Sequence, residues 1–320
     1  MCSSDLPPVT TDAAAAPALT PTSAVFTDAI ALTPVDPERG DLAFVATTQP
    51  CPWPKAYGGD MVAQAVAAAM RSVTDGKQLH STHSYFMRPV EIGAEVRYEV
   101  EVLRDGRGYS TREVRGLQNG KTAYVCLASF AAGEPGGEVA ATPPSDLPHP
   151  DSLPSSATYL ADRSGGTMTE VSKAYWQGGR SFDMRHVPGP VYLTVDGERT
   201  PHQAIWMRPF DTLRPVDGLT DTQRDLAAMA YACDYTILEP TLRALGLAWA
   251  DEGLVTASLD HAMWFHRPFS FDGWLLYAQE SVAASAGRGL NIGRFFAADH
   301  THLATVVQEG MIRSLPGGPS

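Results

Sequence analysis

The chain has 320 residues, 44% hydrophobic and 19% charged, which excludes a fibrous or disordered protein; at about 150 residues per domain it holds two units whose core needs no disulfide staples. A net charge of −12 excludes a broad nucleic-acid surface, which needs clustered positive charge, so any anionic ligand must be held locally. Cys2, Cys51, Cys126 and Cys233 form no CxxC pair or zinc spacing and read as reduced cytoplasmic thiols, while the absence of a long apolar run or a signal-peptide pattern predicts a soluble chain without a membrane span.

Residues 1–22 are Ala, Pro, Thr and Ser with little to bury, and read as a disordered tail. Within 23–133, residues 61–71 are apolar or small nearly all round, which predicts a helix buried on all sides. Ala94, Val96, Tyr98, Val100 and Val102 alternate with charged residues as in a strand with one wet face. Residues 109–117 and 121–130 flank Asn119-Gly120, a pair that tolerates the positive φ of a tight hairpin turn. Residues 134–180, rich in Pro, Gly and Ser, read as a linker. In 181–315, Thr222 and Asp225 mark a helix start, Leu226, Met229, Ala230, Cys233 and Ile237 recur at helical spacing, and Pro240 ends the run. Strands are expected over 254–263, 274–284, 289–297 and 304–312, and a short tail over 316–320.

The two halves resemble each other. Tyr85-Phe86-Met87-Arg88-Pro89 returns as Trp264-Phe265-His266-Arg267-Pro268 at an offset of 179, and Gly106-Arg107-Gly108 returns as Gly287-Arg288-Gly289 at an offset of 181; two landmarks in one order imply a duplication. The architecture expected is α+β: an antiparallel sheet wrapped around a long central helix, made twice.

Gly-x-Ser-x-Gly, His-Glu-x-x-His, Walker A and Gly-x-Gly-x-x-Gly patterns are all absent from the sequence, which argues against a serine α/β-hydrolase and against the common nucleotide and metal sites. Asp234 stands out, in the middle of an apolar helical stretch where an ionised carboxylate needs partners. Cys233 beside it reads as core packing, with no His in a recognisable partner position. Ser258 and Gln308 are polar residues in strands that otherwise read as core. His80, His83, His261 and His266 flank aromatic strand residues without metal spacing and read as structural.

Tyr57-Gly58-Gly59-Asp60, residues 80–89, residues 259–269 and Val307-Gln308-Glu309-Gly310 together resemble the bacterial acyl-CoA thioesterase II family, over about residues 24–314. The resemblance implies a double hotdog fold and a catalytic set of Asp234, Ser258 and Gln308, with Ser258 replacing the family's Thr and Asp60 replacing its commoner Gln. It implies hydrolysis of acyl-CoA to free acid and CoA by a water that Asp234 activates, with no metal and no cofactor, and favours assembly into a homodimer or homotetramer. Gly58 and Gly59 are candidates for substrate or oxyanion contact, and Arg88, Arg107, Arg267 and Arg288 for the CoA phosphates. The same fold leaves two alternatives open: an enoyl-CoA hydratase or dehydratase using Asp and His, and a non-catalytic acyl-CoA-binding module.

Overall fold

A computed structural model describes residues 20–161, 163 and 168–314; apart from residues 20–22, the two expected tails lie outside the described residues. The strands in chain order are β1 (Thr33–Val35), β2 (Leu42–Thr47), β3 (Gln78–Phe86), β4 (Glu95–Asp105), β5 (Tyr109–Gln118), β6 (Lys121–Ala131), β7 (Phe182–Val187), β8 (His202–Pro209), β9 (Leu254–Ser258), β10 (Asp260–Phe265), β11 (Leu275–Ser285), β12 (Arg288–Phe296) and β13 (His302–Ser314). The helices are α1 (Ala24–Ala29), α2 (Gly58–Arg71), α3 (Ser156–Ala161), α4 (Glu170–Ala174), α5 (Asp221–Ala232) and α6 (Glu239–Leu245).

The strands form one continuous antiparallel sheet rather than the two separate sheets expected. Its order is β1-β2-β4-β5-β6-β3-β10-β13-β12-β11-β8-β7, with β9 paired to β13. β3 and β10, which carry the duplicated aromatic motif, pair with each other, His83 opposite Ala262 and Tyr85 opposite Asp260. On either side of this seam the strands follow the same order, β3-β6-β5-β4-β2 and β10-β13-β12-β11-β8. The hairpin expected around Asn119-Gly120 forms, both residues having positive φ (52° and 71°).

Inside the first half, α2 is buried from Gly59 through Met70, because its Ala-rich surface offers no polar face and lets β2–β6 and α5 approach from all sides. The second half departs from expectation. Its predicted long helix divides into α5, a tight 3₁₀ turn at Cys233–Tyr235, and α6. α6 is the helix that packs on β8, β11 and β12, whereas α5 packs on α2. Pro240 does not end a helix but sits in the first turn of α6, where its missing N–H costs nothing. The cap of α5 is likewise shifted: Thr220 and Gln223, not Thr222 and Asp225, form a reciprocal capping box.

The expected linker is only partly extended. Residues 132–149 carry no helix or strand; Pro148 accepts a hydrogen bond from Trp206 Nε1 at 3.1 Å, and Glu138 pairs with Arg267 at 2.6 Å. Ser156–Ala161, Glu170–Ala174 and Tyr175–Gly179 are helical, and Tyr159, Leu160 and Trp176 are buried, apolar positions that Pro/Gly/Ser composition masks. Among the described residues, no helix is long and apolar enough to cross a membrane.

Candidate active site

The break between α5 and α6 explains why Asp234 is there. A carboxylate in mid-helix would project from a fixed face, whereas the 3₁₀ turn frees its side chain to meet two strands. Thr236, two residues on, accepts a hydrogen bond from Gln279 Nε2 at 2.9 Å, and Tyr235 stacks on Tyr57, ring centroids 4.4 Å apart and planes 13° from parallel. Tyr57 also donates its hydroxyl hydrogen to the Tyr231 carbonyl at 2.7 Å. The start of α2 and the Asp234 turn are therefore joined across the halves by aromatic packing.

Three side chains meet here. Ser258, the last residue of β9, donates to Asp234 Oδ1 at 3.0 Å, and Gln308 of β13 donates through Nε2 to the same oxygen at 2.7 Å and to Ser258 Oγ at 2.9 Å. β9 delivers Ser258 because it pairs with β13 in a register that sets Ser258 opposite Gly310, two residues beyond Gln308. Gln308 is fully buried and its Oε1 has no hydrogen-bond partner in the protein. Asp234 and Ser258 retain partial solvent exposure.

Gly58 faces the carboxylate, whereas Gly59 packs against Tyr57 and the Tyr231 carbonyl. A Cβ at Gly58 would lie 2.5 Å from Asp234 Oδ2 and 3.2 Å from Phe86 Cε1, so only glycine lets the acid reach the N-terminus of α2. The start of α2 beside the carboxylate is a favourable place for negative charge, and the Gly59 backbone lowers the pKa of the acid. Burial pushes the Asp234 pKa above the usual carboxylate range; Gln308, Ser258, the Lys55 charge and Gly59 oppose that rise. Asp234 is thus a stronger base than a surface aspartate.

Cys233 packs in the core as expected, but it has a histidine partner after all: Sγ lies 3.2 Å from His261 Nε2. The pair is no nucleophile. Burial raises the Cys233 thiol pKa well above its usual value and lowers that of His261 to about 4, so a neutral thiol meets a neutral imidazole. His80 bonds Ser129 at 2.9 Å and His266 bonds Thr305 at 2.9 Å.

The four arginines do not converge on this site. Arg267 pairs with Glu138, Arg288 pairs with Glu309 at 3.0 Å, Arg88 donates to the Thr122 carbonyl, and Arg107 lies exposed on the β4–β5 turn. Strand register places Arg88 and Arg288 at the end of the sheet that carries Asp234. Arg267 and Arg107 lie roughly 20 and 27 Å away along the strands, at ~3.4 Å per residue. A cavity of about 490 Å³ between Thr142–Leu147 and strands β8, β11 and β12 is likewise not lined by Asp234, Ser258 or Gln308.

Two charged residues beside the site were missed in the sequence. Lys55, one of only four lysines, is half-buried and donates from Nζ to the Thr256 carbonyl at 3.3 Å. Asp60, noted only as a departure from Gln, is fully buried; it accepts from the Gln49 N–H at 2.8 Å through Oδ2, while Oδ1 has no partner. Burial raises its pKa to about 7, against the pull of the Gln49 N–H and with the help of the Asp234 charge. The clue available was an acid in the first turn of a helix whose following residues are mostly apolar or small.

Comparison with known proteins bears on the fold and the family of the chain. Residues 49–131 match the family model of the acyl-CoA thioesterase N-terminal domain, and residues 147–312 that of the acyl-CoA thioesterase C-terminal domain. The chain is 32% identical to acyl-CoA thioesterase 2 of Haemophilus influenzae over 278 residues, 85% of this chain and 93% of that protein. It is similar to the crystal structure of acyl-CoA thioesterase II TesB2 from Mycobacterium marinum, with a TM-score of 0.70, 28% identity, and coverage of 92% of this chain and 99% of that one. A protein with a hot dog fold from Alicyclobacillus acidocaldarius, 19% identical, superposes with a TM-score of 0.69 over 91% of this chain and 98% of its own, which supports the fold alone. With both halves matched in order and the sheet and helices in the corresponding arrangement, the chain belongs to the acyl-CoA thioesterase II family.

Proposed function

We propose that the protein hydrolyses acyl-CoA thioesters to free carboxylic acid and CoA by direct attack of water, with Asp234 as the base and Ser258 and Gln308 holding the same water. One observation carries this reading: a partly accessible carboxylate of raised pKa is bonded at one oxygen by a hydroxyl and an amide, and the amide's Oε1 is left without a protein partner. A thioester carbonyl is reactive enough that positioned water suffices. The water oxygen bonds to the carbonyl carbon while its proton passes to Asp234. Collapse of the tetrahedral intermediate breaks the C–S bond, and the proton leaves with the CoA sulfur. The N-terminus of α2 at Gly58 and Gly59 is the local source of positive potential for the oxyanion, and Arg88 and Arg288 are the better-placed pair for CoA phosphates.

The test is release of free thiol from a panel of acyl-CoAs of increasing chain length. Release expected from at least one chain length supports hydrolysis; none from any would defeat it. The hydratase alternative needs an imidazole working with Asp234, and the side chains bonded to this carboxylate are a hydroxyl and an amide, while His261 is committed to Cys233. Substitution Ser258→Thr restores the family's residue and keeps the hydroxyl, with the added methyl restricting its rotamer. Equal or higher kcat is expected; a collapse in kcat would mean that the pocket is built around Ser.

A further inference from the structure

We infer that Lys55 is a positioning residue of the hydrolytic site, whose ammonium group holds Asp234 in the ionised form that accepts the proton of water. The inference rests on the role proposed for Asp234. Lys55 is placed from both sides. Three residues later the chain reaches Gly58, whose Cα faces Asp234 Oδ2, and Nζ is tied to the carbonyl of Thr256, two residues before Ser258 on β9. The side chain is half-buried, where a charge is screened less than at the surface.

The repeat gives the position a second meaning. At the offset of 179 that relates Arg88 to Arg267, Asp234 corresponds to Lys55 and Ser258 to Leu79, and the strand register sets Gln308 in the place of Ala128. The same offset relates Asp60 to Glu239 and Tyr98 to Tyr277, all four buried, so the correspondence extends beyond the motif that suggested it. The first half therefore carries a cation where the second carries its carboxylate, and the two act on each other across the seam.

Balance matters because Asp234 has few cationic neighbours. The Asp234 charge is felt by Lys55 and Tyr57 just before α2, Asp60 in its first turn, Tyr124 of β6, Tyr277 of β11 and Cys233 on its own turn. Tyr57, Tyr124, Tyr277 and Cys233 are held neutral by burial, which raises their pKa values. Asp60 adds negative charge as it ionises. Lys55 is the member of this group that favours the ionised acid.

The experiment compares wild type, Lys55→Met and Lys55→Arg in the full chain, measuring kcat and KM against pH and, independently, titrating Asp234 by carboxyl ¹³C NMR, its signal assigned with Asp234→Asn. Lys55→Met is expected to move the acid limb of kcat/KM and the NMR titration upward by about one pH unit, with KM changed less than about twofold; Lys55→Arg should return both close to wild type. An unmoved limb and titration, or a defect confined to KM at every pH, would overturn the inference and assign Lys55 to substrate binding. If Asp234→Asn keeps wild-type turnover, the role of Asp234 itself fails; if it abolishes turnover while Lys55→Met leaves the titration in place, only the inference fails.

Discussion

Replacement of Asp234 by Asn is expected to lower kcat on any accepted acyl-CoA by at least roughly two orders of magnitude, the usual cost of losing a general base, with the denaturation midpoint nearly unchanged. The fold tolerates the change for a specific reason. An amide oxygen at the Oδ1 position still accepts from Ser258 and Gln308, which bond there at 3.0 and 2.7 Å, so both partners remain satisfied. Only the other end changes: the amide NH₂ would take the place of Oδ2 beside the N-terminus of α2, a poor position for a donor at a cost of order 1 kcal/mol, offset because no charge is buried any longer. Chemistry fails, since an amide cannot take the proton of the attacking water. Parallel measurement of kcat and of urea unfolding separates the two. Turnover within a few-fold of wild type would remove Asp234 from the mechanism.

Replacement of Asp60 by Asn is expected to stabilise the protein in alkaline solution and to lose that advantage in acid. Burial pushes the Asp60 carboxyl up to about 7 in the folded state, against an ordinary aspartate value of 3.8. Between these values the folded state binds a proton that the unfolded state has released, so stability falls as pH rises from about 4 to 7 and stays low above that. At ~1.4 kcal/mol per pKa unit, the span amounts to as much as about 4 kcal/mol. Asn can keep the bond that Asp60 Oδ2 accepts from the Gln49 N–H; its NH₂ inherits the position of the unpartnered Oδ1 and reduces the gain. Urea midpoints at pH 5 and pH 9 give the comparison: the advantage of the variant should grow by roughly 2–4 kcal/mol between them. Parallel pH curves for the two proteins would show that Asp60 does not titrate in this range.

How far the sequence could be read depended on whether a signal was local. The hairpin at Asn119-Gly120 and the alternating strand around Val96–Val102 follow from the turn preference and period of their own residues, and both appear as expected. Asp234 announced itself as an acid among apolar neighbours. The interruption of its helix did not, because Cys233 and Ile237 continue a helical period across the 3₁₀ turn, and Pro240 marks a start as readily as an end. The pairing of β3 with β10 is a contact between residues 177 positions apart, such as Ser84 with His261, and no local pattern encodes it. Lys55 was invisible for the same reason: its partner carbonyl lies 201 residues away.

The β3–β10 seam does more than lengthen the sheet. Gly58 and Lys55 come from one side of it, and Asp234, Ser258 and Gln308 from the other, so the ladder of backbone bonds between the two strands works as an alignment gauge for the reactive centre. A slip of two residues along that ladder would preserve every inward-facing side chain on its face yet offset the glycine from the acid by about 7 Å, at ~3.4 Å per residue. Mutational tolerance should therefore be uneven: the extended crossing at 132–149 can change length freely, whereas an inserted residue in either seam strand would leave a folded protein with its two half-sites out of step.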